Sequence, residues 1–249
     1  MRLGKLPPKL DARNLRLGTY LTRELAPPPV SVDYAKAVPR WPMMGNDRFA
    51  DCTCAAAGHM VEEWTANTGK VRILSDQAIL TAYEHLTGGP TDRGLAMLDV
   101  LKYWRSAGIG GDRIHAFVQL EPRSDGEVRD AVYLFGNVYL GLALPDFAIA
   151  LGRDPLSVPW VVPPSGPTGD AAPDPTNGHC VAAVAYDLRS LWVVTWGSLK
   201  PMSWSFFQTY MDEAYAVLSL DWVNTRLGRA PPGLDLAALD RDLGQIGKQ

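Results

Sequence analysis

The sequence has few cysteines, no long apolar run and no block of like charge, and each shortage excludes a class of protein. Three cysteines in 249 residues are an odd number, which argues against a disulfide framework and favours a reducing compartment. No apolar run reaches the roughly 18 residues of a membrane-spanning helix, and the first residues lack the apolar centre of a signal peptide. The net charge of −3 comes from scattered residues, so a nucleic-acid partner is not expected. We therefore expect a cytoplasmic protein, of a bacterium or of an infected host cell, with no nucleic-acid or membrane partner.

The composition predicts a globular chain with a substantial core. Hydrophobic residues make up 47% and charged residues 20%, and 20 prolines with 23 glycines indicate many turns. The pattern changes along the chain and suggests four parts. These are a Pro-rich extended arm lying on the surface (1–30), a helical lobe (31–110), a β lobe (111–222) and a C-terminal tail (223–249).

Helical periodicity dominates the first half of the chain. The spacing of apolar residues predicts helices from Cys52 to about Asn67, from Ser75 to about Leu86, near 94–107 and near 125–136. Apolar, β-branched runs then predict a buried strand at 138–144 and a hairpin formed by 180–186 and 191–196. A short helix at 203–210 and a last strand at 214–218 follow, and 152–178 reads as a long loop. The whole is an α+β architecture.

Two residues far apart in the sequence suggest thiol chemistry. Cys52 stands where the first helix begins, and His179 begins the first strand of the predicted hairpin. A thiolate nucleophile needs a sulfur whose pKa is lowered, for instance by a helix N-terminus, and an imidazole that can hold its proton. A cysteine and a distant histidine are weak evidence alone, but the surrounding motifs strengthen the pair.

Five short motifs resemble those of papain-like cysteine peptidases and occur in the same order as in that superfamily. They are Pro29–Tyr34 (PVSVDY), Asn46–Cys52 (NDRFADC), Leu74–Gln77 (LSDQ), Gly178–Tyr186 (GHCVAAVAY) and Val194–Gly197 (VTWG). The stretch Met202–Phe207 with Tyr210 is more similar to bacterial leader-peptide-cleaving members. The resemblance implies a helical lobe, an antiparallel β lobe and a catalytic cleft between them, and places Gly94 and Met97 along that cleft.

The same resemblance assigns roles to Cys52, His179 and Asn46. In the superfamily, an amide side chain six residues before the nucleophile shares the oxyanion hole with the nucleophile's own N–H. Six residues before Cys52 is Asn46, whereas six residues before Cys54 is Arg48, so Cys52 is the better candidate. His59 lies seven residues along the same helix from Cys52, a rise of about 10.5 Å, which is too far for a general base.

The residue that should orient the imidazole departs from the pattern. Papain-like enzymes use Asn or Asp there, but Val194 stands at the corresponding position and cannot accept a hydrogen bond. Thr195 is the neighbouring candidate, although a one-residue step along a strand points to the other face unless a bulge intervenes. We therefore expect a Cys52–His179 dyad or a site that has lost activity.

These residues lead to one principal functional hypothesis and one alternative. The principal hypothesis is a cysteine hydrolase that cleaves peptide or amide bonds through a thioester and needs no cofactor. The cysteines and His179 do not have standard structural-zinc spacing. The alternative is a non-catalytic papain-like module that binds a protein partner, for example within a phage virion. This chain, with its Asn-Asp-x-x-x-Asp-Cys motif, resembles compact proteins of actinobacteria and their phages.

Overall fold

The fold combines helices with one antiparallel sheet, as seen in a computed structural model that describes residues 1–151, 158–224 and 233–246. The helices are α1 (Cys52–Thr68), α2 (Asp76–Thr87), α3 (Met97–Ser106), α4 (Asp125–Phe135), α5 (Asp146–Leu151), α6 (Trp204–Tyr210), α7 (Leu220–Trp222) and α8 (Leu236–Ile246). The strands are β1 (Val32–Asp33), β2 (Ala116–Gln119), β3 (Val138–Ala143), β4 (Gly178–Tyr186), β5 (Ser190–Thr195), β6 (Ser198–Ser203) and β7 (Met211–Leu218).

The sheet has the strand order β2-β7-β3-β4-β5-β6, with β1 paired to one end of β4. Neighbouring strands are antiparallel throughout this order. Alternate side chains therefore enter two different cores. One core contains α1, α2 and α3 against one face of the sheet, and the other contains α4, α6 and α8 against the opposite face. The predicted α+β class, with a helical lobe and an antiparallel β lobe, is confirmed.

Local sequence signals explain where several helices begin and end. The Ser75 hydroxyl accepts a hydrogen bond from the Ala78 N–H and caps α2, and Ser203 does the same for Phe206 in α6. Gly88 ends α2 in a left-handed conformation (φ 77°) that costs glycine little. The four predicted long helices, the buried strand, the hairpin and the short helix are confirmed in these positions.

Other elements differ from the sequence prediction. Strands β2 and β6 and helix α5 were not predicted, and α8 lies in a tail that had looked polar and only weakly periodic. β6 contains Lys200 and Pro201, which are poor strand formers, but it pairs with β5 along its full length. Of the predicted long loop, residues 152–157 lie outside the described residues, and two short 3₁₀ turns lie in the remainder.

Most of the first 30 residues are exposed or half-buried, but three of their side chains enter the molecule. Lys5, Leu17 and Tyr20 are buried, at 4%, 1% and 2% exposure. Residues 1–6, called here the N-terminal segment, run between the start of α1 on one side and the start of β4 on the other. The predicted arm therefore contributes to the core and to the space between the two lobes.

Candidate active site

Cys52 is the first residue of α1 and is 1% exposed. Burial raises the pKa of its thiol to about 12. Hydrogen bonds from the backbone N–H groups of Cys180 and Gly4, together with the positive charge of Lys5, oppose that rise without cancelling it. The thiol is consequently protonated in this structure, although it sits at a helix N-terminus, because the sulfur is shielded from water.

His179 is the second residue of β4 and is also buried. Its Nε2 lies 2.7 Å from the hydroxyl oxygen of Thr195, and its ring stacks on Trp196 with centroids 4.5 Å apart. Burial lowers the pKa of His179 to about 3, so the imidazole is neutral. Nδ1 is buried and has no hydrogen-bond partner among the described residues. No hydrogen bond joins this imidazole to the Cys52 sulfur among the described residues, and the Cys52 side chain lies in the core of the helical lobe with Cys180, the residue that follows His179.

The register of the sheet explains why Thr195, and not Val194, contacts His179. Val194 pairs with Ala182, and both side chains enter the core of the helical lobe. Val193 and its partner Ala183 enter the opposite core. Thr195 therefore points to the same face as His179 through simple alternation along β5. The irregularity between β4 and β5 lies further along, at 183–185, so the bulge considered from the sequence is not what brings Thr195 to the imidazole.

Asn46, the predicted oxyanion donor, is 2% exposed and lies close to the start of α1. Its Nδ2 donates to the Phe49 carbonyl and to Asp51 Oδ1, each at 3.1 Å. Both amide hydrogens are thus engaged within the loop, and one would have to be released to reach a bound substrate. The N–H of Cys52 belongs to the first turn of a helix, where N–H groups lack an intrahelical partner, and is the second predicted donor.

Asp51 precedes Cys52 and is fully buried. Burial raises the pKa of this carboxyl to about 7, against the opposing hydrogen bond from Asn46. Its Oδ2 has no hydrogen-bond partner among the described residues. The side chain makes no cap bond to α1, so its contact with Asn46 ties the loop to the helix start.

The N-terminal segment covers the sulfur through backbone pairing. The N–H groups of Gly4 and Lys5 donate to the Gly178 carbonyl at 3.2 and 3.0 Å. Leu6 donates to the Leu95 carbonyl at 3.0 Å, and the Leu95 N–H donates to the Gly4 carbonyl at 2.8 Å. An extended peptide therefore lies between the two lobes, in contact with both.

Glycines permit this close approach. A Cβ on Gly4 would collide with the Ala50 carbonyl, a Cβ on Gly178 with the Lys5 carbonyl, and a Cβ on Gly94 with the Gly4 carbonyl. Gly94 has φ 76°, which also favours glycine. The residue predicted by resemblance to line the cleft thus contacts the segment that fills it.

The remaining candidates lie elsewhere or serve packing. His59 Nε2 lies 2.8 Å from the Pro42 carbonyl, and its ring meets Trp41 edge to face. Cys54 and Cys180 are free and buried, and burial raises the pKa of both thiols. An aspartate of the predicted long loop was a further possible partner for His179, but Asp174 accepts hydrogen bonds from Thr176 instead. No group of three or more His, Cys, Asp or Glu side chains in the described part of the chain is placed to hold a metal ion.

The sequence gives no signal for a charge cluster at the cleft, in which Lys5 and Glu213 are buried and Asp212 is partly exposed. The Lys5 Nζ lies 2.8 Å from Asp212 Oδ2 and 3.4 Å from Glu213 Oε1. Lys5 sits in a Met-Arg-Leu-Gly-Lys run with no periodicity, and the two acids stand at the start of an apolar strand. Only the tertiary pairing of the N-terminal segment brings them together.

Comparison with known proteins places the fold. No protein-family model matches the chain, and no curated protein matches it in sequence. Xylellain, a cysteine protease from Xylella fastidiosa, is similar in structure, with a TM-score of 0.66 and 14% identity over 88% of this chain and 96% of that one. The cysteine protease and lectin-like domains of Cwp84, a surface layer associated protein of Clostridium difficile, give 0.62 and 14% over 88% of this chain and 56% of that one. Bromelain from Ananas comosus gives 0.54 and 15% over 76% and 99%. The chain has the papain-like fold that the motif order predicted.

No helix among the described residues is both long and apolar enough to cross a membrane.

Proposed function

We propose that this chain, whose fold is that of papain-like cysteine peptidases, hydrolyses peptide or amide bonds with Cys52 as nucleophile and His179 as general base. One observation carries the proposal. Nε2 of His179 is held by Thr195, while Nδ1 has no hydrogen-bond partner among the described residues. An imidazole fixed at one nitrogen and free at the other, in a papain-like fold whose first long helix begins at a cysteine, supports nucleophilic catalysis by that cysteine.

The chemistry proceeds in two halves. The Cys52 sulfur attacks the carbonyl carbon as its proton moves to Nδ1 of His179, and the carbonyl electrons move to the oxygen. The tetrahedral intermediate collapses when the C–N bond breaks and the amine leaves with that proton. Water then attacks the thioester while His179 accepts a proton, which releases the acid and restores the thiol.

Three groups support these steps. Thr195 accepts the Nε2–H of His179 and so leaves the Nδ1 lone pair available. The Cys52 N–H stabilises the oxyanion, and Asn46 adds a second donor once it releases Phe49 or Asp51. Loss of one oxyanion donor typically costs about 3 kcal/mol of transition-state stabilisation.

The N-terminal segment must leave the cleft before a substrate can enter. It touches the sulfur and excludes water, and burial is the main cause of the high pKa of Cys52. Its departure would admit water, bring the thiol pKa down towards its ordinary value and expose Nδ1. Peptide or protein substrates are the partners that this extended, two-sided cleft suits.

A second candidate function has its own supporting observation. The cleft binds an extended peptide in the structure, while the thiol that should react with it is protonated and buried. A non-catalytic module that binds extended segments, in a virion or another assembly, would look the same. A chemical test is needed to separate the two functions.

An acylation assay distinguishes them. A peptide with an activated ester should acylate the protein once per chain, and Cys52→Ala should abolish the burst. The matched control is Cys54→Ala, which removes a neighbouring buried thiol and should leave the burst intact. Lys5→Glu should accelerate it by displacing the N-terminal segment. If Lys5→Glu melts like the wild type but acylates no faster than Cys52→Ala, the hydrolase proposal fails and the binding module is favoured.

A further inference from the structure

The side chain of Lys5 is almost completely buried, at 1% exposure, although it carries a charge. Its ammonium group contacts Asp212 Oδ2 at 2.8 Å and Glu213 Oε1 at 3.4 Å, and donates to the Leu6 carbonyl at 3.0 Å. A buried lysine is stable only when its charge is paired and its hydrogens are bonded. The two carboxylates supply that pairing from β7, a strand of the sheet, and not from the N-terminal segment itself.

The protein provides a shaped pocket for this side chain. A Cβ on Gly141 would lie 2.6 Å from the Lys5 Cε and 2.8 Å from the Met97 sulfur, so the missing side chain makes room for the lysine stem. Tyr215 donates its hydroxyl to Glu213 Oε2 at 3.0 Å and fixes that carboxylate. Glu213 Oε1 is buried and has no hydrogen bond among the described residues. The pocket therefore holds a carboxylate oxygen that faces the ammonium group and has no hydrogen bond of its own.

The pocket lies close to the start of α1, where Cys52 is found. Gly4 packs against the backbone of Ala50, two residues before Cys52. The next residue, Lys5, donates its N–H to the Gly178 carbonyl, and its side chain reaches Asp212 and Glu213. The backbone groups that hold this segment belong to Gly178 and Leu95 and are independent of its sequence. Any extended peptide in the same position would place one side chain in the pocket.

We propose that Asp212 and Glu213 form a specificity pocket for a lysine side chain of a peptide bound beside Cys52, and that Lys5 occupies this pocket in the free protein. The role of this pocket in selecting substrates rests on the proposed function, whereas its ability to bind a peptide does not. The stem fits the narrow space between Gly141 and Met97, and the single ammonium fits between the carboxylates.

Binding can be measured without catalysis in the full chain carrying Cys52→Ala and Lys5→Glu. The introduced carboxylate at position 5 faces Asp212 and Glu213 and should vacate the pocket, and Lys5→Ala serves as a second variant should the first not fold. Fluorescein-labelled hexapeptides would carry one lysine, norleucine or glutamate, moved through successive positions. Norleucine has the aliphatic stem without the charge, so the comparison isolates the ammonium group.

We expect one peptide position at which the lysine peptide binds at least about 30-fold more tightly than the norleucine peptide. This factor is the lower end of the effect of removing one partner from a buried charge pair. Asp212→Asn with Glu213→Gln should reduce that preference to about twofold or less, while the control Glu84→Gln, on the surface of α2, should leave it unchanged. Equal binding of the lysine and norleucine peptides at every position, or a preference that survives the double variant, would overturn the proposal.

Turnover separates this inference from the proposed function. In Lys5→Glu with Cys52 intact, kcat/KM for the lysine peptide should exceed that for the norleucine peptide by a similar factor. A lysine-selective binder without turnover would leave the pocket in place and refute the hydrolase. Turnover without lysine preference would refute the pocket and leave the hydrolase in place.

Discussion

The hydroxyl oxygen of Thr195 lies 2.7 Å from Nε2 of His179, one residue after the position at which papain-like motifs led us to expect an Asn or Asp. A hydroxyl is a weaker acceptor than a carboxylate and has no net charge, so it fixes the ring and its tautomer but stabilises an imidazolium less. Trp196, stacked on the same ring, restricts it further. Thr195 is therefore a positioning residue in the proposed reaction.

Replacing Thr195 with valine should slow acylation of Cys52 by about 5- to 150-fold, the range expected for losing one hydrogen bond of roughly 1–3 kcal/mol. Thr195→Ser should retain most of the rate because it keeps the hydroxyl. The rate is measured as the burst with an activated ester in the Lys5→Glu chain. Thr209→Val, on α6, is the matched control away from the site. A normal rate in Thr195→Val would show that the hydroxyl does not orient the imidazole.

The sequence makes Cys52 and His179 the candidate nucleophile and base because helix starts, strand periodicity and motif order are local signals. Motif alignment set Val194 at the orienting position and left its neighbour Thr195 as the candidate, because alignment does not show which face of the sheet a side chain occupies. The pairing of Val194 with Ala182 decides that, and it depends on strand register. β6 and the N-terminal segment escaped prediction for a related reason. Their structure comes from partners remote in sequence, such as Gly178 for Gly4, and not from their own propensities.

Enlarging Gly4 should make Cys52 more reactive. A side chain at this position would collide with the Ala50 carbonyl, so Gly4→Leu should expel the N-terminal segment from the cleft. Water would then reach the sulfur and lower the thiol pKa from about 12. Alkylation by iodoacetamide near neutral pH, located by mass spectrometry, should accelerate at Cys52 by about tenfold or more, since each unit of pKa changes the thiolate fraction tenfold.

The control for this experiment is Gly244→Leu, where an added Cβ meets nothing within 4 Å. It should leave the alkylation rate at the wild-type value. Cys54 should remain slow in both variants because it is fully buried in the core of the helical lobe and no residue of the N-terminal segment acts on its thiol. Faster labelling at Cys54 than at Cys52 in Gly4→Leu would contradict the assignment of the nucleophile.

Asn46 has a structural and a proposed catalytic role, and two substitutions separate them. Asn46→Ala removes the hydrogen bonds to Phe49 and Asp51 and should cost about 1–3 kcal/mol of stability, measured by urea unfolding. The same substitution should also reduce the acylation rate about 100-fold if the Asn46 amide joins the oxyanion hole. Asn46→Asp can no longer donate to Asp51 and should be at least as destabilising. Stability loss with an unchanged acylation rate would leave Asn46 with the loop role alone.

The buried Asp51 carboxyl should make stability depend on pH in a direction that can be checked. Its pKa is about 7 in the folded protein and about 3.8 in an unfolded chain. Because the folded pKa is the higher one, folding is favoured by this group below about pH 4, and the contribution is lost as the pH rises towards 7.

Asp51→Asn keeps an acceptor for Asn46 but cannot ionise. Relative to the wild type, it should therefore gain stability between pH 4 and 7, by roughly 1.4 kcal/mol for each unit of pKa difference. Urea unfolding at pH 4, 5.5 and 7 measures this, with the exposed Glu84→Gln as control. A stability difference that stays constant, or shrinks, over that range would mean that Asp51 is ionised in the folded protein and that the start of α1 tolerates a negative charge next to Cys52.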